Sequence, residues 1–137
     1  MEQLSEFVIN HWILVTLFCV MSSLLLSSFL NQVPGFSPGD AIIAVNRGES
    51  SIVDVRAVEQ FKKGHISNSI NLPLADIVNA SEKLKKMKKK QIIACCDAGN
   101  LSGAAVKELK KMGFVDSVIL KGGINAWKAS SYPLKTS

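Results

Sequence analysis

Cys96-Asp97-Ala98-Gly99-Asn100-Leu101-Ser102 is the stretch of this sequence that decides the fold. It follows Gln91-Ile92-Ile93-Ala94-Cys95, a short apolar and partly β-branched run that predicts a buried strand. After it, apolar residues recur at the spacing of one helix face, at Ala105, Leu109 and Met112. This spacing predicts a helix from Gly103 to Met112, with Gly113 as its C-terminal cap. The quoted stretch is therefore predicted to be a tight loop between a strand and a helix.

Cys96 is the candidate nucleophile because it lies where the strand ends and the helix is about to begin. Loop N–H groups and the helix dipole at that place stabilise a thiolate. Gly99 permits the sharp turn, and Ser102 is expected to cap the helix. The alternative is that Cys96 is a packing residue, since free cysteines are among the most buried residues. The strand–loop–helix context favours a reactive thiol.

The chain has 137 residues, which is enough for one modest domain and a short additional segment. The three cysteines, Cys19, Cys95 and Cys96, form no disulfide framework, which favours a reducing compartment for the domain. The net charge is +5, but no basic patch is interleaved with aromatic residues, so nucleic-acid binding is not expected. Neither a metal site nor a cofactor site is predicted.

Phe7 to Leu30 is an uncharged stretch of about 24 residues, and a membrane-spanning helix needs roughly 20. The preceding tail carries Glu2 and Glu6 and no Lys or Arg, which disfavours a cleaved signal peptide. A buried helix of a soluble protein is the other alternative. We therefore predict that residues 1–32 form a tail, a transmembrane helix through residues 7–30 and the start of a linker. Residues 33–137 are predicted to form the folded domain.

Positive charge is distributed unevenly around this stretch, because all sixteen Lys and Arg residues follow it. The positive-inside rule then predicts a single-pass protein with its amino terminus outside and its domain in the cytoplasm. A basic run, Lys83–Lys90, lies within the domain. Such a run usually forms a solvated face, but near a membrane it also predicts contact with anionic lipid headgroups.

The remaining sequence alternates strand and helix patterns after a short linker over residues 31–36. Strands are predicted over residues 51–56, 69–72 and 116–120, and helices over residues 38–46, 58–63, 76–86 and 124–128. Ser37 is the predicted N-cap of the first of these helices, and Pro38 is its first residue. Trp127 is expected on the inner side of the last helix. The predicted fold class is α/β, with a mostly parallel central sheet flanked by helices on both faces.

Four segments, in this order, resemble the signatures of the rhodanese family, the single-domain sulfurtransferases. They are Val53-Asp54-Val55-Arg56 with Glu59 and Phe61; Gly64-His65-Ile66 with Ile70-Asn71-Leu72-Pro73-Leu74; Cys96 with Gly99 and Ser102; and Leu120-Lys121-Gly122-Gly123-Ile124 with Ala126-Trp127. The resemblance covers about Ser37 to Leu134. Together with one leading apolar helix, it is similar to the membrane-anchored bacterial members of the family, which implies the inner membrane.

The resemblance implies that Cys96 accepts a sulfane sulfur as a persulfide and passes it to an acceptor thiol. It also implies that the loop that binds the substrate consists of Asp97, Ala98, Gly99, Asn100, Leu101 and Ser102. Asp54, Arg56, Glu59 and His65 match positions that hold the fold, the first three through a charged hydrogen-bond network. The donor and the acceptor are not implied.

Two positions depart from the family pattern. The family often has a basic residue directly after the cysteine and an arginine just before the serine, where this chain has Asp97 and Leu101. Both changes disfavour an anionic donor, so weak turnover of thiosulfate is expected. Two functions stay open: a sulfurtransferase or persulfide carrier, or a binding module that docks a partner at the membrane. A phosphatase is disfavoured, because no arginine in the loop would hold phosphate.

Overall fold

The computed structural model describes residues 1–87 and 90–136. The chain forms two compact units, Met1–Gln32 and Val33–Ser137. The first unit contains α1 (Glu2–Asn10) and α2 (Trp12–Leu30), with a break at His11. The uncharged helix predicted to begin at Phe7 is therefore interrupted, and its long part is the 19 residues of α2. By length and composition, α2 is able to cross a membrane.

The second unit is built on a five-stranded sheet in the order β1-β5-β4-β2-β3, with every pair of neighbouring strands parallel. The strands are β1 (Gly35–Phe36), β2 (Ser50–Asp54), β3 (Ile70–Asn71), β4 (Gln91–Cys95) and β5 (Val118–Leu120). The α-helices are α3 (Pro38–Asn46), α4 (Val58–Lys63), α5 (Ser81–Lys85), α6 (Asn100–Lys111) and α7 (Gly123–Ala129). The predicted α/β fold with a parallel sheet is confirmed.

Two apolar cores cover the two faces of the sheet. One core contains Val53, Ala94 and Cys96 with residues of α5 and α6, and the other contains Ile52, Ile93 and Cys95 with residues of α3 and α7. Successive residues of β4 alternate between the cores, as side chains alternate across a strand. Because both faces are covered, β4 is an almost continuous apolar run, which is why it is recognisable in the sequence.

Two segments of the domain differ from the sequence prediction in the type of secondary structure they form. Gly35–Phe36, predicted as linker, is an edge strand that pairs with β5. A Cβ at Gly35 would lie 2.7 Å from the side chain of Ile119, so glycine permits this close approach. The helix predicted over residues 76–86 is instead a 3-10 helix (Leu74–Asn79) followed by α5, with Ala80 between them. Lys88 and Lys89 of the basic run lie outside the described residues.

Candidate active site

Cys96 and Cys95 are adjacent in sequence but belong to opposite faces of the sheet. Cys96 packs in the core that contains Val55 and Leu72, whereas Cys95 packs in the core that contains Trp127. Both residues are buried, with exposed fractions of 2% for Cys96 and 0% for Cys95. Cys96 is the first residue after β4 and so begins the loop.

The loop closes on the sulfur of Cys96 through a backbone amide. The N–H of Gly99 donates to Cys96 Sγ, with 2.9 Å between nitrogen and sulfur. Gly99 is the N-cap of α6 and has φ of 96°, a left-handed conformation that glycine adopts readily. The helix therefore begins at Asn100, three residues before the predicted start at Gly103. Amides in the first turn of a helix have no intrahelical acceptor and are available to an anion.

Ser102 does not cap α6, and this prediction is wrong. It is the third residue of the helix and is fully buried, and its hydroxyl has no hydrogen-bond partner among the described residues. The reason is that the left-handed Gly99 turns the chain earlier than expected, so α6 already includes Ser102. The other loop side chains, those of Asp97, Ala98, Asn100 and Leu101, are exposed.

Arg56 is the centre of a buried charged network below the loop. Its Nε donates to Asp54 Oδ1 at 3.0 Å, and its Nη2 donates to Asp54 Oδ2 and to the carbonyl of Gly64, both at 2.7 Å. Burial disfavours the charged guanidinium, but the hydrogen bond and the charge of Asp54 outweigh it and raise the pKa of Arg56. Arg56 therefore stays charged, and its hydrogen bonds fix the carboxyl end of β2.

Asp97 ties the loop to this network. Its Oδ1 accepts from Arg56 Nη1 at 3.4 Å and its Oδ2 accepts from Gln60 Nε2 at 3.3 Å. Glu59, which the resemblance placed in the network, is exposed, and the described contacts give it no side-chain hydrogen bond. Gln60 was missed because nothing in the local sequence indicates its contact with Asp97, which lies 37 positions further along the chain.

Gly123 lies directly against the backbone of the loop. The Cys96 carbonyl accepts from the N–H of Ile124 at 2.8 Å, and the Asp97 carbonyl accepts from the N–H of Asn125 at 3.0 Å. A Cβ at Gly123 would lie 2.1 Å from the Cys96 carbonyl oxygen, closer than any real contact. Its φ of 57° is left-handed as well. The start of α7 therefore positions the backbone of Cys96, whereas the sequence predicted only a helix over residues 124–128 there.

His65 lies apart from the cysteine. Its Nδ1 donates to the carbonyl of Phe61 at 2.9 Å, and its ring stacks on that of Phe61 with centroids 3.9 Å apart. Its backbone pairs with Lys135 in a short antiparallel bridge. These contacts hold the segment after α4 and supply no general base to the loop.

Residues 37–130 match the rhodanese-like domain family. The chain belongs to this family. It is 30% identical to "Uncharacterized protein YibN" of Escherichia coli K12 over 139 aligned residues, which cover 98% of this chain and 97% of that protein. It is 32% identical to "Thiosulfate sulfurtransferase GlpE" of Coxiella burnetii over 85 residues, 62% of this chain and 78% of that one. A rhodanese-related protein from Thermoplasma volcanium superposes with a TM-score of 0.65 at 30% identity, covering 76% of this chain and 99% of its own.

The rhodanese-like domain has a cavity of about 590 Å³ lined by Val58, Asn71, Leu72, Pro73 and Asp76 among others. Leu72 belongs to the same core as Cys96, and Asn71 Nδ2 donates to the Arg56 carbonyl at 2.9 Å. Cys96 does not line this cavity. The cavity therefore lies at the carboxyl end of β3, and none of its lining residues belongs to the loop over residues 96–102.

Proposed function

We propose that this protein transfers sulfane sulfur, with Cys96 as the residue that accepts it. The observation that carries the proposal is the hydrogen bond of 2.9 Å from the Gly99 amide to Cys96 Sγ, at the start of the twelve-residue helix α6. An amide and a helix N-terminus both favour negative charge on the sulfur. The family supports the same chemistry, since its relatives include proteins named as sulfurtransferases.

The reaction needs no charged side chain in the loop. The Cys96 thiolate attacks the outer sulfur of the donor, a new S–S bond forms, and the donor's own bond to that sulfur breaks. The leaving group, sulfite from thiosulfate or a thiolate from a persulfide, departs with the electron pair. The Gly99 amide and the first-turn amides of α6 then stabilise the anionic terminal sulfur. An acceptor thiolate attacks that sulfur in turn and releases Cys96.

Cys95 is unsuited to this role for an electrostatic reason. Burial, followed by the charge of Asp54, raises the pKa of the Cys95 thiol far above its usual range. The thiol is therefore neutral at physiological pH, and it lies in the core on the other face of the sheet. A neutral buried thiol is a packing group and not a nucleophile.

A second candidate function is a binding module in which Cys96 is incidental. The observation that favours it is the exposed fraction of Cys96, only 2%. Two assays distinguish the enzyme from the binding module: one measures sulfite released from thiosulfate, and the other measures sulfur transferred from small persulfides. Sulfur transfer in the wild type and in Cys95→Ser, with none in Cys96→Ser, supports the enzyme, whereas its absence in all three supports the module.

The apolar helix α2 is the proposed membrane anchor, through residues 12–30. Its 19 residues are uncharged, and no Lys or Arg precedes it. The charge distribution supports an inner-membrane protein with a cytoplasmic domain. Labelling of intact cells with a membrane-impermeant thiol reagent tests the orientation, because a cysteine introduced at exposed Lys90 should stay unlabelled until the cells are lysed.

Contact with anionic lipid is proposed for the basic run. Lys86 and Lys90 precede β4, so they lie at the amino edge of the sheet, and the domain begins at that same edge with Val33 before β1. Each surface lysine near an anionic bilayer contributes roughly 1 kcal/mol of attraction. Phosphatidylglycerol vesicles that protect this run from an amine-reactive reagent, when neutral vesicles do not, support the contact.

A further inference from the structure

The carboxylate of Asp97 is fixed at the mouth of the loop but is not neutralised. Arg56, its partner at 3.4 Å, already forms a closer pair with Asp54 at 2.7 Å. Two carboxylates share one guanidinium, so the three groups together keep one negative charge. Gln60 adds a hydrogen bond without charge. Among the described residues, Asp97 forms no other ion pair, although Lys62 and Lys63 are exposed on the same helix as Gln60.

This charge faces solvent beside the nucleophile. Asp97 is the residue after Cys96, and its side chain is 51% exposed. The Cys96 sulfur itself is buried, so a donor must approach past the exposed loop side chains. A dianion such as thiosulfate is repelled there, and a donor with a cationic group close to its sulfur is attracted.

We propose that Asp97 selects the sulfur donor by charge, and that the donor is a persulfide with an ammonium or guanidinium group near its sulfane sulfur. The inference rests on the proposed sulfur transfer and adds the substrate class to it. In the step, Cys96–S⁻ attacks the outer sulfur of R–S–SH and forms a new S–S bond. The S–S bond of the donor breaks, and R–S⁻ leaves with the electron pair as Cys96–S–SH forms. The cation of R never takes part in bond making; it only lowers the cost of bringing the donor to the loop.

The experiment compares two donors of similar size and opposite charge, the persulfides of cysteamine and of 3-mercaptopropionate. Sulfur loading of the detergent-solubilised full chain is timed at low salt. The wild type should load faster from the cationic donor by about 1.4- to fivefold, which corresponds to the range of about 0.2–1 kcal/mol for exposed charge contacts. Asp97→Asn should remove the preference and Asp97→Glu should keep it. Asp116→Asn, which changes an exposed carboxylate before β5 at the opposite edge of the sheet, is the matched control and should keep it too.

The outcomes separate this inference from the proposed function. Loading at equal rates from both donors, or a preference that survives in Asp97→Asn, overturns the selection by Asp97 and leaves sulfur transfer intact. No loading from either donor or from thiosulfate overturns the proposed function and the inference together. An Asp97→Asn variant that loads sulfur from both donors at equal rates has kept its fold and lost only the selection, and the preference retained in Asp97→Glu assigns that selection to the charge.

Discussion

Arg56 lies level with Asp97, and its Nη1 is 3.4 Å from Asp97 Oδ1 although the two residues are 41 positions apart in sequence. The register of the sheet explains this, because β2 and β4 are parallel neighbours and Asp54 is paired with Cys95. Arg56 follows Asp54 by two residues and Asp97 follows Cys95 by two residues, so the two side chains reach the same level at the edge of the sheet. The buried pair of Asp54 and Arg56 therefore supports both the fold and the loop.

Removing one member of the buried pair should destabilise the protein strongly. Asp54→Ala leaves the guanidinium of Arg56, 5% exposed, without its main partner, and breaking a buried pair costs about 3–5 kcal/mol. Urea unfolding of the chain in detergent measures the loss. Glu108→Ala is the control, since its ion pair with Lys111 is on the surface and should contribute less than about 1 kcal/mol. Similar losses in the two variants would contradict the account.

Gly123→Ala should displace the loop. The new Cβ would lie 2.1 Å from the Cys96 carbonyl oxygen, so the start of α7 has to move away from the nucleophile. Gly48→Ala is a matched control, because Gly48 also has a positive φ, 75°, but has no atom within 4 Å of the added Cβ. Both variants carry a backbone cost of roughly 1 kcal/mol. Sulfur loading should fall only in Gly123→Ala, and equal activity in the two would refute the close contact.

Stability should decline at alkaline pH because of Cys95. Burial raises the pKa of its thiol in the folded chain, so the folded state keeps a proton that the unfolded state loses above about pH 8.5. Below that pH the ionisation of the Cys95 thiol does not change the free energy of unfolding. Above it, the free energy of unfolding falls by up to about 1.4 kcal/mol per pH unit. Unfolding measured from pH 8 to pH 10.5 should therefore show a shallower decline in Cys95→Ala. An unchanged slope would contradict the burial of a neutral thiol.

The parts of the fold that were predictable are those with a local signal. The continuous apolar run of β4 and the Ser37-Pro38 start of α3 gave the right boundaries, and Ser37 Oγ accepts from the Asp40 N–H at 3.2 Å. The edge strand β1 was missed because its two residues form no pattern, and its pairing depends on β5. The early start of α6 was missed because a left-handed Gly99 gives no periodic signal.

The position of Cys96 at the start of the loop was predictable from the sequence, and the residues that support the loop were not. The adjacency of strand, cysteine and helix pointed to Cys96, but the contacts of Arg56 with Asp97 and of Gly123 with Cys96 exist only once the sheet is assembled. The sequence indicated only that Asp97 places a negative charge beside the cysteine. In the structure its carboxylate also accepts hydrogen bonds from Arg56 and Gln60.

Leu101→Arg should increase turnover of thiosulfate. Leu101 is the second residue of α6 and is 48% exposed, so a longer side chain has room there. An exposed charge contact of about 0.2–1 kcal/mol corresponds to a gain of up to about fivefold. Leu101→Gln is the uncharged control and should show no gain. Asp97→Arg should not help in the same way, since it replaces a ligand of Arg56 with a second cation. Equal rates for the Arg and Gln variants would contradict a role for charge at this position.

The second unit, from Val33, should fold without the apolar helix, since the contacts of the chain divide between Gln32 and Val33. A chain that begins at Val33 should be soluble and should unfold in one cooperative transition, followed by circular dichroism in urea. An insoluble chain, or a gradual loss of signal, would show that the domain needs residues 1–32.

Mass spectrometry of the cysteine-containing peptide tests the central claim most directly. The full chain is incubated with a persulfide donor, its remaining thiols are alkylated, and the peptide that contains Cys95 and Cys96 is fragmented between the two residues. We expect one added sulfur on Cys96 and none on Cys95, with the addition lost in Cys96→Ser and retained in Cys95→Ser. Added sulfur on Cys95 alone, or none on either residue from any donor, would contradict it.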